Sequence, residues 1–500
     1  MTPSSHTNQS SLAGSYGREL VWNQIWQSLN FVSKAAFLLI LTPMMILRWG
    51  SIGFGLFAVA SSLLVSMALL DGGIRSLIRV QMADAMKRNE TASLKRIYAE
   101  GVLTFATVCS AAFVVSLALS LLGCLTAWFR LPPGGGTVLV ITVVCTAILM
   151  TSILLLEPLA AEGNLSILKA ANTWGAIAAV PICAILVFLG AGVGPVIVTY
   201  AACMTVPNLL VAWHKNLFAM LPWSELRRFR LKTALKTLQS GFWYYLTTVA
   251  LIGKTHALTF LVSAIAGPAE AGIFYILLRF SESISNVAST SSETSLAALT
   301  TAKDAAQRHA LFVLSWRHVA LFSITGALMF LFLTVQLLGL WLHGAVTANP
   351  CVGAGLALFG LSGAFSRVVV NSSMGLDLTR PAALAGMAEA VTGILGAFVG
   401  YQLGGLTGLL LGGSLGSLWQ IPVGFMISEP CGLRSSGDWI RPLLPLFPGF
   451  LLCGLLFYAG SRSSHEGVYL ASLFLVAAVT LWQLKFIQNR IKPTDGEHPL

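Results

Sequence analysis

Fourteen hydrophobic stretches fill the 500-residue chain, and its lysines and arginines gather in alternate loops between them. That arrangement leaves a polytopic membrane protein as the fold class before any motif is read. Hydrophobic residues make up 56% of the chain and charged residues 10%, whereas a soluble domain carries about 25% charged residues. At a mean hydropathy of +0.80 no soluble core could bury so much apolar surface.

A hydrocarbon layer of roughly 30 Å needs about 20 apolar residues per helix. Stretches of that size run near 28–48, 52–72, 101–129, 137–161, 168–190 and 193–213, then near 238–263, 271–297, 318–342, 352–375, 382–402, 405–427, 442–460 and 468–486. They are continuously apolar, without the two-residue alternation of membrane strands, so an all-α protein is expected.

With the N-terminus inside, one set of loops holds Arg75, Arg79, Lys87, Arg88, Lys95 and Arg96, then Lys215, Arg227, Arg228, Arg230, Lys232 and Lys236. The opposite loops hold only Arg48, Arg130 and Arg462. Basic residues are retained on the cytoplasmic side of a membrane, so both termini are expected in the cytoplasm. The same asymmetry accounts for most of the net charge of +11 without any nucleic-acid partner. The first 27 residues are polar and no cleavable signal precedes the first long helix, which is expected to act as the insertion signal. The eight cysteines show neither a CxxC pair nor a metal-ligand spacing, so no metal or cofactor is expected and they are read as packing residues.

The turn between the first two helices begins at Gly50 and continues through Gly55, Leu56 and Phe57; the turn between the seventh and eighth begins at Gly267 and continues through Gly272, Ile273 and Phe274. Both read G-x4-G-[LI]-F, 217 residues apart, and both follow an odd-numbered helix. Two copies in the same membrane orientation imply two lobes related by a pseudo-two-fold axis along the membrane normal. Gly163 with Lys169, and Gly375 with Arg380, echo the repeat, each before an apolar span and a glycine cluster. The expected organisation is a cytoplasmic segment at 1–27, six-helix lobes at 28–213 and 238–428, a basic linker at 214–237, a terminal helix pair at 429–487 and a cytoplasmic tail at 488–500.

From Phe31 to Arg79 the chain shows an apolar helix with Pro43, the Arg48-Trp49-Gly50 turn with Gly55, and a helix ending at Leu69 to Ile74 through Asp71, Gly72 and Gly73. With its counterpart at 241–297, this pattern resembles the polysaccharide flippases of the multidrug/oligosaccharidyl-lipid/polysaccharide exporter superfamily. The resemblance covers about residues 18–430 and consists of helix, turn and glycine positions rather than a catalytic motif. It implies two six-helix bundles around a cavity that opens alternately to the two sides of a bacterial inner membrane. It also implies a polyprenyl-pyrophosphate-linked oligosaccharide as cargo, with polysaccharide polymerase and chain-length proteins as partners. The two additional C-terminal helices are similar to those of the lipid II flippase branch, although that branch's cationic pattern in the first two helices is not matched.

Charged side chains inside a span are costly and face a cavity or a partner. Here they are Lys34, Lys254, His256, Arg279, Glu282, Arg367 and Glu389. Lys34, Lys254, Arg279 and Arg367 are the candidate cavity cations, because Arg grips phosphate oxygens bidentately and Lys supplies a compact charge. Arg279 and Glu282 are also spaced to neutralise each other on one helix, and Lys34 lies near enough to the inner surface to snorkel. Asp71 and Arg75 form a candidate cytoplasmic gate, with a structural turn as the alternative. Glu157 and Glu293 read as solvated acids at inner helix ends. Glu282 and Glu389, the deepest acids, are the candidates for ion coupling.

No P-loop, DxD or HExxH sequence occurs, and the outer loops are short, so an enzyme is not expected. The competing readings are a multidrug exporter of the same superfamily, a lipid II flippase and, from another class, a membrane glycosyltransferase or ligase. A cationic cavity favours an anionic lipid-linked glycan, whereas an acidic, aromatic one would favour organic cations.

Overall fold

The computed structural model describes residues 6–66, 73–162, 164–221, 231–301, 350–376 and 378–428, together with single positions between 308 and 341 and Cys431. Asp71, Gly163, linker residues 222–230 and the spans expected at 442–460 and 468–486 lie outside the described residues, as do most of 318–342 and the tail. Among the described residues there is no strand.

The chain packs as two compact units, residues 1–275 and 276–500. In the first, α1 (His6–Ser66) is followed by α2 (Ile74–Lys87), α3 (Thr91–Leu121), the short α4 (Cys124–Trp128), α5 (Gly135–Leu154), the short α6 (Glu157–Ala161), α7 (Leu165–Phe188) and α8 (Val193–His214). Helix α9 (Leu231–Thr248) continues through a π-helical turn at Val249–Gly253 into α10 (Lys254–Ala266). These pack on α1, α2 and α3, so the packing boundary falls later than the boundary read from the repeat. Helix α11 (Pro268–Thr301) bridges the two units; α12 (Pro350–Gly375), α13 (Thr379–Leu415) and α14 (Gln420–Ser428) belong to the second.

Seven of the described helices are long and apolar enough to cross a bilayer, and two of them hold more than one crossing. The apolar part of α1, Val32–Ser66, has 35 residues, about 52 Å of helix at 1.5 Å per residue, which exceeds a hydrocarbon core of roughly 30 Å. Gly50 breaks it with φ 69° and ψ 179°, a conformation open essentially to glycine alone. The halves fold back on each other, bringing the Phe37 and Phe57 rings to 6.5 Å.

Helix α13 breaks similarly at Gly404 and Gly405. Gly396 and Gly400 then meet Gly412 and Gly408 across the hairpin so closely that a Cβ at any of the four would strike the opposing backbone. Small residues at such a seam allow backbone approach where lipid offers no hydrophobic drive for association.

The lipid-facing surface is apolar, with Leu47, Phe188 and Leu403 each more than three-quarters exposed. Chain segments expected as loops supply further structure. Helix α2 buries Ile74, Ile78 and Met82 at four-residue spacing against Tyr98, Phe105, Leu154 and Leu159, forming the core at that end of the first unit. In the second unit Phe312, Val319, Val368, Val423 and Ile427 form the corresponding core. The molecule is an all-α multi-pass membrane protein.

Candidate functional site

The two copies of the repeated turn share a backbone conformation. Gly267 has φ 95° and ψ 175°, matching Gly50, so each copy starts its second helix from the same glycine-dependent break. The copies also meet. A Cβ at Gly55 would collide with the Pro268 carbonyl, and one at Gly272 would lie 3.2 Å from the Gly55 Cα. The Tyr275 ring stands edge-on to Phe54 and Phe57 at 6.4 Å from each. Nearby, Ser263 Oγ donates to the Phe129 carbonyl at 2.8 Å, and Trp49 Nε1 donates to the Ala191 carbonyl at 2.9 Å. The repeat thus forms a packed plug at one end of the first unit.

Between α2 and α6 lies an ion cluster that the sequence reading did not foresee. Glu157, the first residue of α6, is fully buried. Its two carboxylate oxygens accept from Arg75 Nε at 2.9 Å and from Arg79 at 2.9 Å. Pro158 immediately after Glu157 suits the first helical turn, and four-residue spacing puts Arg75 and Arg79 on one face of α2. Glu157 is therefore a buried pairing partner and not a solvated acid. Arg75, expected to work with Asp71 as a gate, is engaged by Glu157, while Asp71 lies outside the described residues. The Glu293 side chain lies outside them too.

The candidate cavity cations occupy unlike surroundings. Lys34 on α1 is exposed, whereas Lys254 is buried in the first turn of α10, with His256 buried two residues on. The π-helical turn just before Lys254 marks an irregularity of a kind frequent at functional positions. In the second unit Arg279 Nη1 pairs with Glu282 Oε2 at 2.6 Å along α11, both side chains partly buried. The neutralising arrangement weighed from their spacing is thus present. Arg367 on α12 is half-buried.

Glu389 has another setting. It lies within α13, nearly inaccessible, and its carboxylate oxygens accept from Ser366 Oγ at 2.9 Å and from Gln420 Nε2 at 2.8 Å. Ser366 comes from α12 and Gln420 begins α14, so three helices converge on one acid. Gly416 makes this possible, because a Cβ there would strike the Glu389 carbonyl. Gln420 is fully buried and its Oε1 has no hydrogen-bond partner. The sequence reading found Glu389 by depth, but Ser366 and Gln420 give no signal in an apolar stretch. Among the described residues no group of His, Cys, Asp and Glu has the arrangement of a metal site.

No protein-family profile matches the sequence, and no curated protein matches it. Solved structures do share its fold. The lipid II flippase MurJ in an inward closed conformation superimposes with a TM-score of 0.67 at 13% identity, covering 94% of this chain and all of that one. An inward-facing multidrug resistance MATE family transporter of the MOP superfamily gives 0.62 at 12% identity, covering 82% of this chain and 96% of that one. A Vibrio cholerae MATE transporter, VcmN in its bent form, gives 0.52 at 13%, covering 86% of this chain and 98% of that one. The fold is that of MATE- and MurJ-type membrane proteins.

Proposed function

We propose that the chain is a flippase carrying a polyprenyl-pyrophosphate-linked oligosaccharide across a bacterial cytoplasmic membrane by alternating access, in cell-surface polysaccharide synthesis. The carrying observation is the extent of the likeness to MurJ. That likeness spans 94% of this chain against 82% for the first MATE transporter. A lipid-linked cargo also suits the cations: Arg367 lies in an apolar helix long enough to cross a bilayer and Lys254 is buried in the first turn of α10, settings that suit an anionic headgroup. Lys34 contributes where α1 is exposed. Arg279 reaches the cargo only by exchanging Glu282 for a phosphate.

Alternating access requires the plug at Gly55 and Gly272 to part. Linking Phe54→Cys to Tyr275→Cys with a short bifunctional thiol reagent should stop transport, and cleaving the linker should restore it. The cargo is tested by expressing the chain in two strains, one lacking its O-antigen flippase and one lacking its lipid II flippase. Restored surface polysaccharide in the first supports the reading; rescue of only the second moves the cargo to lipid II.

Glu389 favours ion coupling in either kind of transporter. Ser366 and Gln420 donate to it as neutral groups from two other helices, so movement of those helices changes what the acid is offered and where a proton or a monovalent cation can bind. Glu282, already held by Arg279, is the weaker carrier. The multidrug-exporter reading draws on this buried acid and on the MATE likeness. Efflux of an organic cation by the purified chain, without glycan transport, would establish it.

A further inference from the structure

We infer that the first unit holds an anionic phospholipid of the cytoplasmic leaflet, its acyl chain in a groove between α1, α7 and α8 and its headgroup beside the end of α8. The orientation rests on the positive-inside distribution of the loops; the inference is independent of the transported cargo. The groove has a volume of about 480 Å³ and is lined by Trp26 of α1, Ile167, Ala170 and Trp174 of α7, and Pro207 and Leu210 of α8. That volume lies in the range of small-molecule pockets. The two tryptophans form one wall, their ring centroids 6.2 Å apart. Thr173 Oγ1 pins that wall by donating to the Trp26 carbonyl at 3.0 Å.

Two features fix the occupant's chemistry. The lining is apolar and opens sideways onto the belt where Trp174, Leu210 and Trp213 are each more than half exposed. An occupant entering from that belt is a hydrocarbon chain already dissolved in the bilayer. The rim is basic on one side. Leu210 and Val211 line the groove, and one turn further along the same faces of α8 stand His214 and Lys215, both exposed. Across from them Ser166 lines the groove in the first turn of α7, the end of a helix dipole that favours an anion. A negative headgroup between these ends, with one chain running down past Trp174, satisfies the charge and the shape together.

The lipid would act as a wedge between α1 and the α7–α8 hairpin, the packing that any movement of α1 has to shift. The test is native mass spectrometry of the full chain, released from nanodiscs made with equal amounts of palmitoyl-oleoyl phosphatidylglycerol and phosphatidylcholine. The unaltered protein should retain one phosphatidylglycerol, with about fivefold preference from the Lys215 charge contributing as a surface lysine does. Ala170→Trp, which fills the groove, should abolish retention. The exposed pair His214→Glu and Lys215→Glu should remove the preference and leave folding unchanged, so the rim variant decides the matter if Ala170→Trp does not fold. Equal retention of both lipids by the unaltered protein, undiminished retention by folded Ala170→Trp, or displacement of phosphatidylglycerol by equimolar polyprenyl phosphate would each overturn the assignment.

Discussion

Glu157 in the first unit and Glu389 in the second are both buried carboxylates in a membrane protein, yet their partners differ in kind. Glu157 receives two guanidinium groups. Glu389 receives a hydroxyl and a primary amide. The two guanidinium groups tie Glu157 to α2 by charge as well as by geometry. The Ser366 hydroxyl and the Gln420 amide bring no formal charge to Glu389. The contrast separates a charge that builds the protein from one that can work in it. Glu157 fastens α2 to α6, while Glu389 sits where three helices can exchange one partner for another.

The sharpest way to break this distinction is to neutralise each acid in turn. Glu157→Ala should destabilise the first unit by about 3 kcal/mol, the low end for a buried pair because Arg75 and Arg79 keep part of their contact with water. The measurement is thermal unfolding in detergent together with membrane abundance. Unchanged stability would remove the structural role assigned here. Glu389→Gln should leave abundance near normal, since its amide oxygen can accept from Ser366 while its NH2 donates to Gln420 Oε1 once the Gln420 amide turns over, but it should abolish the dependence of transport on the driving ion gradient. Flux measured with and without an imposed gradient checks this, and a retained response would place coupling elsewhere.

Smaller effects refine the comparison. Ser366→Ala removes one donor to Glu389 and should cost about 1 kcal/mol. Thermal unfolding in detergent checks this, and unchanged stability would mean that Ser366 does not hold the acid.

Much of the fold was legible in the sequence because hydrophobicity and turn chemistry are local. The spans at 137–161, 168–190 and 193–213 correspond to α5, α7 and α8 within a few residues at most ends. Gly50 and Gly267 announced their breaks through a repeated pattern, and their torsions agree. Sites were less legible because partners lie far apart along the chain. Glu157 is 82 residues from Arg75, and a sequence reading gives Arg75 to the nearer Asp71. Gln420 begins a nine-residue helix of otherwise ordinary apolar composition. Depth singled out Glu282 and Glu389, and a charge within an expected span singled out Lys254, whereas only the folded chain distinguishes buried Lys254 from exposed Lys34. The Arg279–Glu282 pair was visible because both residues share one helix.

The central claim, translocation of a lipid-linked glycan, is tested most directly in proteoliposomes containing a polyprenyl-pyrophosphate oligosaccharide, with movement between leaflets read by accessibility to a sugar-binding lectin or a glycosidase. The unaltered chain should translocate it. Lys254→Ala and Arg279→Ala should each lower the rate at equal protein content, and Arg279→Lys should recover part of the loss because an ammonium lacks the planar fork. No translocation by the unaltered, correctly folded chain, or full activity of the Lys254→Ala, Arg279→Ala double variant, would contradict the account: the first would deny the cargo, and the second would deny these cations their part in carrying it.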